Sequence, residues 1–138
     1  MRIMALDFGT KRVGIAVSDE LLLTAQGMNS LERKEISADL TEIARIAREN
    51  DVQEIIVGLP LNMNGTYSEK TKEAAEFADR LSRSVSVPVK TWDERLTSMQ
   101  AERVLLSADA SRTKRKKVTD KLAAQIILQS YLDSRKKS

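Results

Sequence analysis

An apolar run at residues 3–6 stops at a carboxylate, Asp7, crosses a connection at residues 9–12 and resumes as apolar residues 13–17. Runs this short and this apolar suit buried strands. A connection with one glycine and two cations suits a tight turn. The stretch therefore predicts a β-hairpin whose first strand ends in Asp7. A strand-end carboxylate beside a glycine turn can hold a hard cation, because oxygen ligands converge there and glycine permits close backbone approach. Asp also closes turns for its own geometry, so the stretch by itself leaves both readings open.

The segments after the hairpin set the topology. Asp19-Glu20 reads as a turn and Leu21 opens a third strand reaching Asn29, which completes an antiparallel meander. Ile36, Leu40, Ile43 and Ala47 fall on one face of a helix over residues 35–50. Residues 52–58 are a second buried strand, entered directly from that helix, so they pair parallel with the first strand. Leu59 to Thr66 form a loop at the C-terminal end of a parallel strand, where α/β folds place ligands. Thr66-Tyr67-Ser68-Glu69 fits a capping box, and Ala74, Phe77, Ala78 and Leu81 give the buried stripe of the helix it starts. Residues 85–92, with Pro88 near their start, read as the fifth strand, ending in Asp93-Glu94-Arg95. Thr97-Ser98-Met99-Gln100 is a further capping pattern for a short helix to about residue 107. Residues 108–117 read as a mobile basic loop and residues 118–133 as the last helix, packed through Leu122, Ile126 and their neighbours, with Ala123 and Ala124 allowing close approach to the strands. A meander followed by two helical crossovers predicts the strand order 3-2-1-4-5 within one domain covering residues 1–138.

Composition narrows the chemistry. The chain has neither Cys nor His. That excludes disulfides, thiolate or imidazole metal sites, Ser-His triads and imidazole acid–base work. Carboxylates, water activated by a metal, or Lys are left to move protons. No apolar run approaches the roughly 18 residues of a membrane span, and the N-terminus carries no signal-peptide pattern. A cytoplasmic protein with no membrane partner is expected. The net charge of +3 is unevenly spread: residues 111–138 hold nine Lys/Arg against two Asp/Glu, a net of +7 that leaves −4 for the rest. A basic end of this kind suits a polyanion, and equally a solvated helix face or tail.

Three acids stand at element ends: Asp7 after the first strand, Glu94 after the fifth, and Asp120 in the first turn of the last helix. With the first strand near the middle of the sheet these ends can converge on one rim. Three carboxylates so placed repel unless divalent cations neutralise them. Two such ions about 4 Å apart can activate a water and stabilise the leaving oxygen in phosphodiester hydrolysis. An acidic pocket for metal beside a basic segment for phosphates is the charge layout of a nuclease.

Four stretches, 7-DFGTKRVG-14, 58-GLPLNMNGT-66, 93-DERLT-97 and 120-DKLAA-124, in this order and spanning almost the whole chain, closely resemble the YqgF family. Those bacterial proteins are described as Holliday junction resolvases or as pre-16S ribosomal RNA nucleases. The resemblance implies an α/β, ribonuclease-H-like fold: a five-stranded mixed sheet with helices on both faces. It implies that Asp7, Glu94 and Asp120 are catalytic acids binding Mg²⁺ or Mn²⁺. It also implies a hydrolase acting on structured or single-stranded RNA, above all the 5′ end of pre-16S rRNA in ribosomal precursor particles. Branched DNA is the alternative substrate, and a non-catalytic RNA-binding assembly module the alternative role. An actin-like ATP site is disfavoured, since 138 residues cannot build two lobes around a nucleotide.

Other residues carry paired readings. Lys11, Arg12, Arg95, Arg112, Lys114, Arg115, Lys116 and Lys117 are candidate nucleic-acid contacts. Lys11 and Arg12 suit solvent equally well, and Arg95 suits a pair with a site carboxylate. Asp93 is a candidate fourth ligand, but adjacent strand residues face opposite ways, which favours Glu94 alone. Asn62 and Asn64 suit turn geometry, Phe8 and Trp92 suit the core, and Tyr67 suits base stacking. A monomer or weak homodimer is expected, with no clear dimer signature.

Overall fold

The computed structural model describes residues 1–96 and 112–136, with the side chains of residues 112–121 and 136 outside the description. Strands β1 (Arg2–Phe8), β2 (Arg12–Ser18) and β3 (Ala25–Glu32) form the meander. Helix α1 (Ile36–Glu49) leads to β4 (Val52–Leu59), and α2 (Glu69–Ser82) leads to β5 (Val89–Asp93). A 3-10 turn, Glu94–Leu96, follows β5, and α3 runs from Arg112 to Lys136. The sheet order is β3-β2-β1-β4-β5, with β1–β2 and β2–β3 antiparallel and β1–β4 and β4–β5 parallel. This is the expected 3-2-1-4-5 order. Among the described residues no helix is long and apolar enough to cross a membrane.

The inner strands β1, β2 and β4 are buried on both faces, and the alternation of side chains divides the core in two. Met4, Leu6, Ile55 and Val57 face α1 and α2, where they meet Leu40, Ile43, Phe77 and Leu81. Ile3, Ala5, Ala16 and Ile56 face α3, where they meet Ala123, Ala124, Ile127, Leu128 and Leu132. Strands covered on both sides read as unbroken apolar runs, which is why residues 3–6 and 55–57 show no polar alternation. Phe8 and Trp92 pack against these clusters as expected. Phe8 stacks on Phe77 with ring centroids 4.4 Å apart, and the Arg33 guanidinium covers its ring at 4.3 Å.

Several boundaries differ from expectation, each for a local reason. The third strand starts at Ala25 rather than Leu21, because the Asp19 carboxylate accepts hydrogen bonds from the Leu23 and Thr24 amides and extends the turn. The fifth strand starts at Val89, after Pro88, whose carbonyl accepts from the Ile55 amide. The α2 capping box is Ser68 with Thr71, not Thr66 with Glu69. Thr66 is held in the preceding loop, bonded to Asn62 and Asn64.

The basic segment is the main correction. Residues 112–117, expected as a loop, are helical, and the last helix starts at Arg112 rather than residue 118. Lys and Arg are good helix formers, and no Gly or Pro occurs after residue 88 to stop the helix. Apolar periodicity marks only the part of a helix that packs, so it gives no signal over these residues. The expected short helix at residues 97–107 lies outside the described residues.

Candidate active site

β4 is the strand from which the site is built. In the parallel β1–β4 register Leu6 lies beside Val57, so one further residue sets Asp7 beside Gly58. On the other side Gly58 pairs with Trp92, and Leu59 with Asp93, the last residue of β5. Glu94 follows at once. Asp7 shares its face with Ile3 and Ala5, the face covered by α3. Position 58 shares that face with Ile56. A Cβ built on Gly58 would lie 2.9 Å from Glu94 Oε2 and 2.7 Å from Ile127 Cδ1. Asp7 and Glu94 thus come to one face of the sheet on either side of a residue without a side chain, and both are buried, each 8% exposed.

The third candidate acid, Asp120, lies on α3. Tyr131 and Arg135 meet Glu54, near the start of β4, whereas Ile127 meets Gly58, near its end. The helix therefore runs with its N-terminal end toward the Asp7–Glu94 rim. Asp120 lies in that helix seven residues before Ile127, about 10 Å further along the axis. Its side chain lies outside the described residues. Ala123 and Ala124 are fully buried one turn later, consistent with close approach of the helix to the sheet. Leu122 and Ile126 are only half-buried, and the buried stripe is instead Ala123, Ala124, Ile127, Leu128 and Leu132.

Asp93 and Arg95 form a second unit beside the acids. Arg95 Nη2 donates to Asp93 Oδ2 at 2.7 Å, and Nε lies 3.1 Å from both carboxylate oxygens. These bonds hold the Asp93 carboxyl below its ordinary range, against the opposing effect of burial. The same guanidinium donates through Nη1 to the Met63 carbonyl at 3.2 Å, fastening the loop after β4 to the end of β5. Gly65 lies under it at φ +86, a backbone region that favours glycine, and a Cβ there would stand 3.3 Å from Nη1. The two asparagines set the turn: the Asn62 carbonyl accepts from the Gly65 amide at 2.8 Å, and Asn64 Oδ1 accepts from the Thr66 amide at 3.1 Å. Sequence reasoning missed this Arg95–Met63 link, because a side chain bonding to a carbonyl 32 residues away leaves no local pattern.

The other candidates are dispersed. Lys11 is exposed at the tip of the first hairpin, and Arg12 is paired with Glu32 at 2.9 Å. The side chains of Arg112, Lys114, Arg115, Lys116 and Lys117 lie outside the described residues, although their backbone is helical. Tyr67 is half-exposed just before α2. Among the described residues no group of three metal-ligating side chains occurs. Asp7 and Glu94 nonetheless supply a donor set of carboxylate oxygens alone, which suits a hard divalent cation.

A mixed five-stranded sheet in this order, with helices on both faces, is the ribonuclease-H-like fold of the resolvases. RuvC of Thermus thermophilus, solved in complex with a Holliday junction substrate, has the same fold with a TM-score of 0.61 at 14% identity, covering 100% of this chain and 97% of that one. The fowlpox virus resolvase, solved with Holliday junction DNA, gives 0.57 at 13% identity, covering 98% and 99%. The sequence then places the chain more narrowly. It belongs to the RuvX family, whose model, described as Holliday junction resolvase, matches residues 1–134. It is 53% identical over 133 residues to the "Putative pre-16S rRNA nuclease" of Syntrophomonas wolfei, covering 96% of this chain and 94% of that one. It is 50% identical to the protein of that name in Halothermothrix orenii, covering 99% and 98%.

Proposed function

We propose that this protein is a divalent-metal-dependent nuclease that hydrolyses phosphodiester bonds in the 5′ end of pre-16S rRNA. The observation that carries the reading is the placement of two buried carboxylates, Asp7 and Glu94, on one face on either side of Gly58. Asp120, from the rim end of α3, is the third acid of the proposed site. These three residues would hold Mg²⁺ or Mn²⁺, and the ion, when bound, supplies Lewis-acid polarisation of the phosphate and a water of lowered pKa. With no His in the chain, the acids do no imidazole-like shuttling. They bind and orient. Burial beside β4 fixes the Asp7 and Glu94 side chains before substrate arrives, so little reorganisation remains at the moment of reaction. The basic N-terminal turns of α3, together with Lys11, hold the phosphates of the strand to be cut.

The names of the relatives support ribosomal RNA as substrate. The family description and the resolvase fold support a second reading, cleavage of four-way DNA junctions. The deciding experiment presents purified protein with a labelled precursor rRNA end and a four-way DNA junction, each with Mg²⁺, with Mn²⁺ and with chelator. Metal-dependent cleavage of the RNA with the junction left intact is the expected outcome. Cleavage of the junction alone establishes the second reading. Binding without cleavage of either would make the protein an RNA-binding assembly module.

A further inference from the structure

Gly58 lies in β4, a strand paired on both sides, and glycine weakens such a strand. Its backbone lies outside the left-handed region, so no conformational need explains it. Space does. A single methyl group there would press against two side chains: Ile127 Cδ1 at 2.7 Å, and Glu94 with Oε2 at 2.9 Å and Cγ at 3.2 Å. The first contact concerns the packing of α3. The second concerns the acid that β5 delivers. β5 is the edge strand, one strand further from β1 than β4 is. A carboxylate starting beyond its end reaches the Asp7 side of the sheet only by lying across β4. The strand it crosses carries no side chain at that point.

We infer that Gly58 is a positioning residue: its missing side chain is the slot through which the Glu94 carboxylate reaches the face of β4 next to Asp7. The inference rests on the reading of Glu94 as a functional acid for its consequence, but not for its geometry. Any side chain at position 58 turns the carboxylate away and leaves Asp7 without its companion. The loss is then one of metal binding and turnover, with nucleic-acid binding intact, because the phosphates are held elsewhere.

The two contacts allow the slot to be separated from packing. Ile127→Val deletes the Cδ1 atom and nothing else. If Gly58 serves packing alone, the double substitution Gly58→Ala, Ile127→Val regains both melting temperature and cleavage. If Gly58 is a slot, the double variant regains its melting temperature while kcat stays down roughly 10–100-fold, the range that orienting residues of metal sites command. KM for the nucleic acid is unchanged, and Mn²⁺ binding, followed by paramagnetic resonance of the free ion, is weakened. In a Glu94→Gln background the Gly58→Ala substitution adds no further loss, since the two act through one group. The crystal structure of the double variant decides the geometry independently of any activity. A Glu94 carboxylate swung off β4 upholds the slot, and one that stays in place overturns it. A displaced carboxylate with Mn²⁺ binding and cleavage untouched would leave the slot standing and remove Glu94 from the proposed site.

Discussion

Glu54 and Glu94 are buried to nearly the same degree, 7% and 8% exposed, at opposite ends of the parallel half of the sheet. Glu54, near the start of β4, is surrounded by partners. It accepts from Tyr131 Oη at 2.7 Å, meets Lys90 Nζ at 2.8 Å and has Arg135 at 3.7 Å. Burial would push its carboxyl up, but the hydrogen bonds from Lys90 and Tyr131, with the charges of Lys90 and Arg135, more than offset this and hold it below its ordinary value. Glu94, at the far end, lies over Gly58 on the sheet face that Asp7 shares. Equal burial therefore does not mean equal role. A carboxylate ringed by cations and a phenol fastens α3 to the sheet, whereas Glu94 is delivered to the rim that β1 and β4 share with the candidate acid Asp7.

The largest expected effects break this contrast at the rim. Asp7→Asn and Glu94→Gln keep shape and remove charge. Cleavage should fall well beyond the roughly 10–100-fold that substituting outer residues of a metal site produces. Thermal melting should hold or rise, because like-charge repulsion is relieved. Single-turnover cleavage beside melting curves checks both, and a folded variant cutting at the wild-type rate would remove that acid from the site.

Next in size is the basic end of α3. Replacing Arg112, Lys114, Arg115, Lys116 and Lys117 with Gln should weaken binding across sequences and flatten its salt dependence. Each lost phosphate contact lowers the log–log slope by about 0.7–0.9. Lys90→Gln, at the Glu54 end, should leave that slope unchanged, since this lysine is already committed to a carboxylate. Binding titrations from low to moderate salt make the comparison, and equal slopes in all three proteins would reduce the basic run to a solvated face.

At the other end of the sheet the order of effects reverses. Glu54→Gln should lower stability by about 2 kcal/mol at neutral pH, the range for hydrogen bonds to charged groups, with cleavage per folded molecule unchanged. Because the folded-state carboxyl lies below its ordinary 4.5, the stabilisation is present above pH 4.5 and is lost as pH falls through the depressed folded value. Urea denaturation from neutral pH down through the carboxylate range should show wild type losing stability more steeply than the variant. Parallel curves would mean that Glu54 has the same affinity for protons folded and unfolded.

The strand order and the helices that pack were legible because apolar period and chain order carry them. The unbroken runs at residues 3–6 and 55–57, together with the two helical crossovers, admit few other sheets. The placement of Asp7 and Glu94 beside strand ends was legible for the same reason, although β1 runs one residue past Asp7, to Phe8. The illegible features depend on contacts between distant residues or on the absence of a pattern. Residues 112–117 have no apolar stripe, so nothing distinguished a polar helix from a loop. The Ser68–Thr71 cap was masked by an equally good pattern two residues earlier, which the Asn62 and Asn64 side chains had already engaged. The meaning of Gly58 is invisible until Glu94 and Ile127 are placed against it.

The smallest expected effect concerns Arg95, which the sequence left divided between phosphate and carboxylate. The structure gives its guanidinium three committed directions: Asp93 through Nε and Nη2, and the Met63 carbonyl through Nη1. A lysine carries the same charge but cannot reproduce a planar fork reaching two partners at once. The group is partly exposed, with side-chain accessibilities of 34% for Arg95 and 24% for Asp93, so the pair is screened by water. Arg95→Lys should therefore leave global stability nearly unchanged. Its visible effect is on order rather than energy: the loop after β4 loses its tie to the end of β5, and the amides of Asn62, Gly65 and Thr66 should exchange hydrogen faster. The salt dependence of nucleic-acid binding should not change, because a guanidinium already holding Asp93 and Met63 contributes no phosphate contact. If Arg95→Gln instead lowers the slope by nearly one unit, the guanidinium leaves Asp93 when nucleic acid binds, and its link to Met63 belongs to the free protein alone.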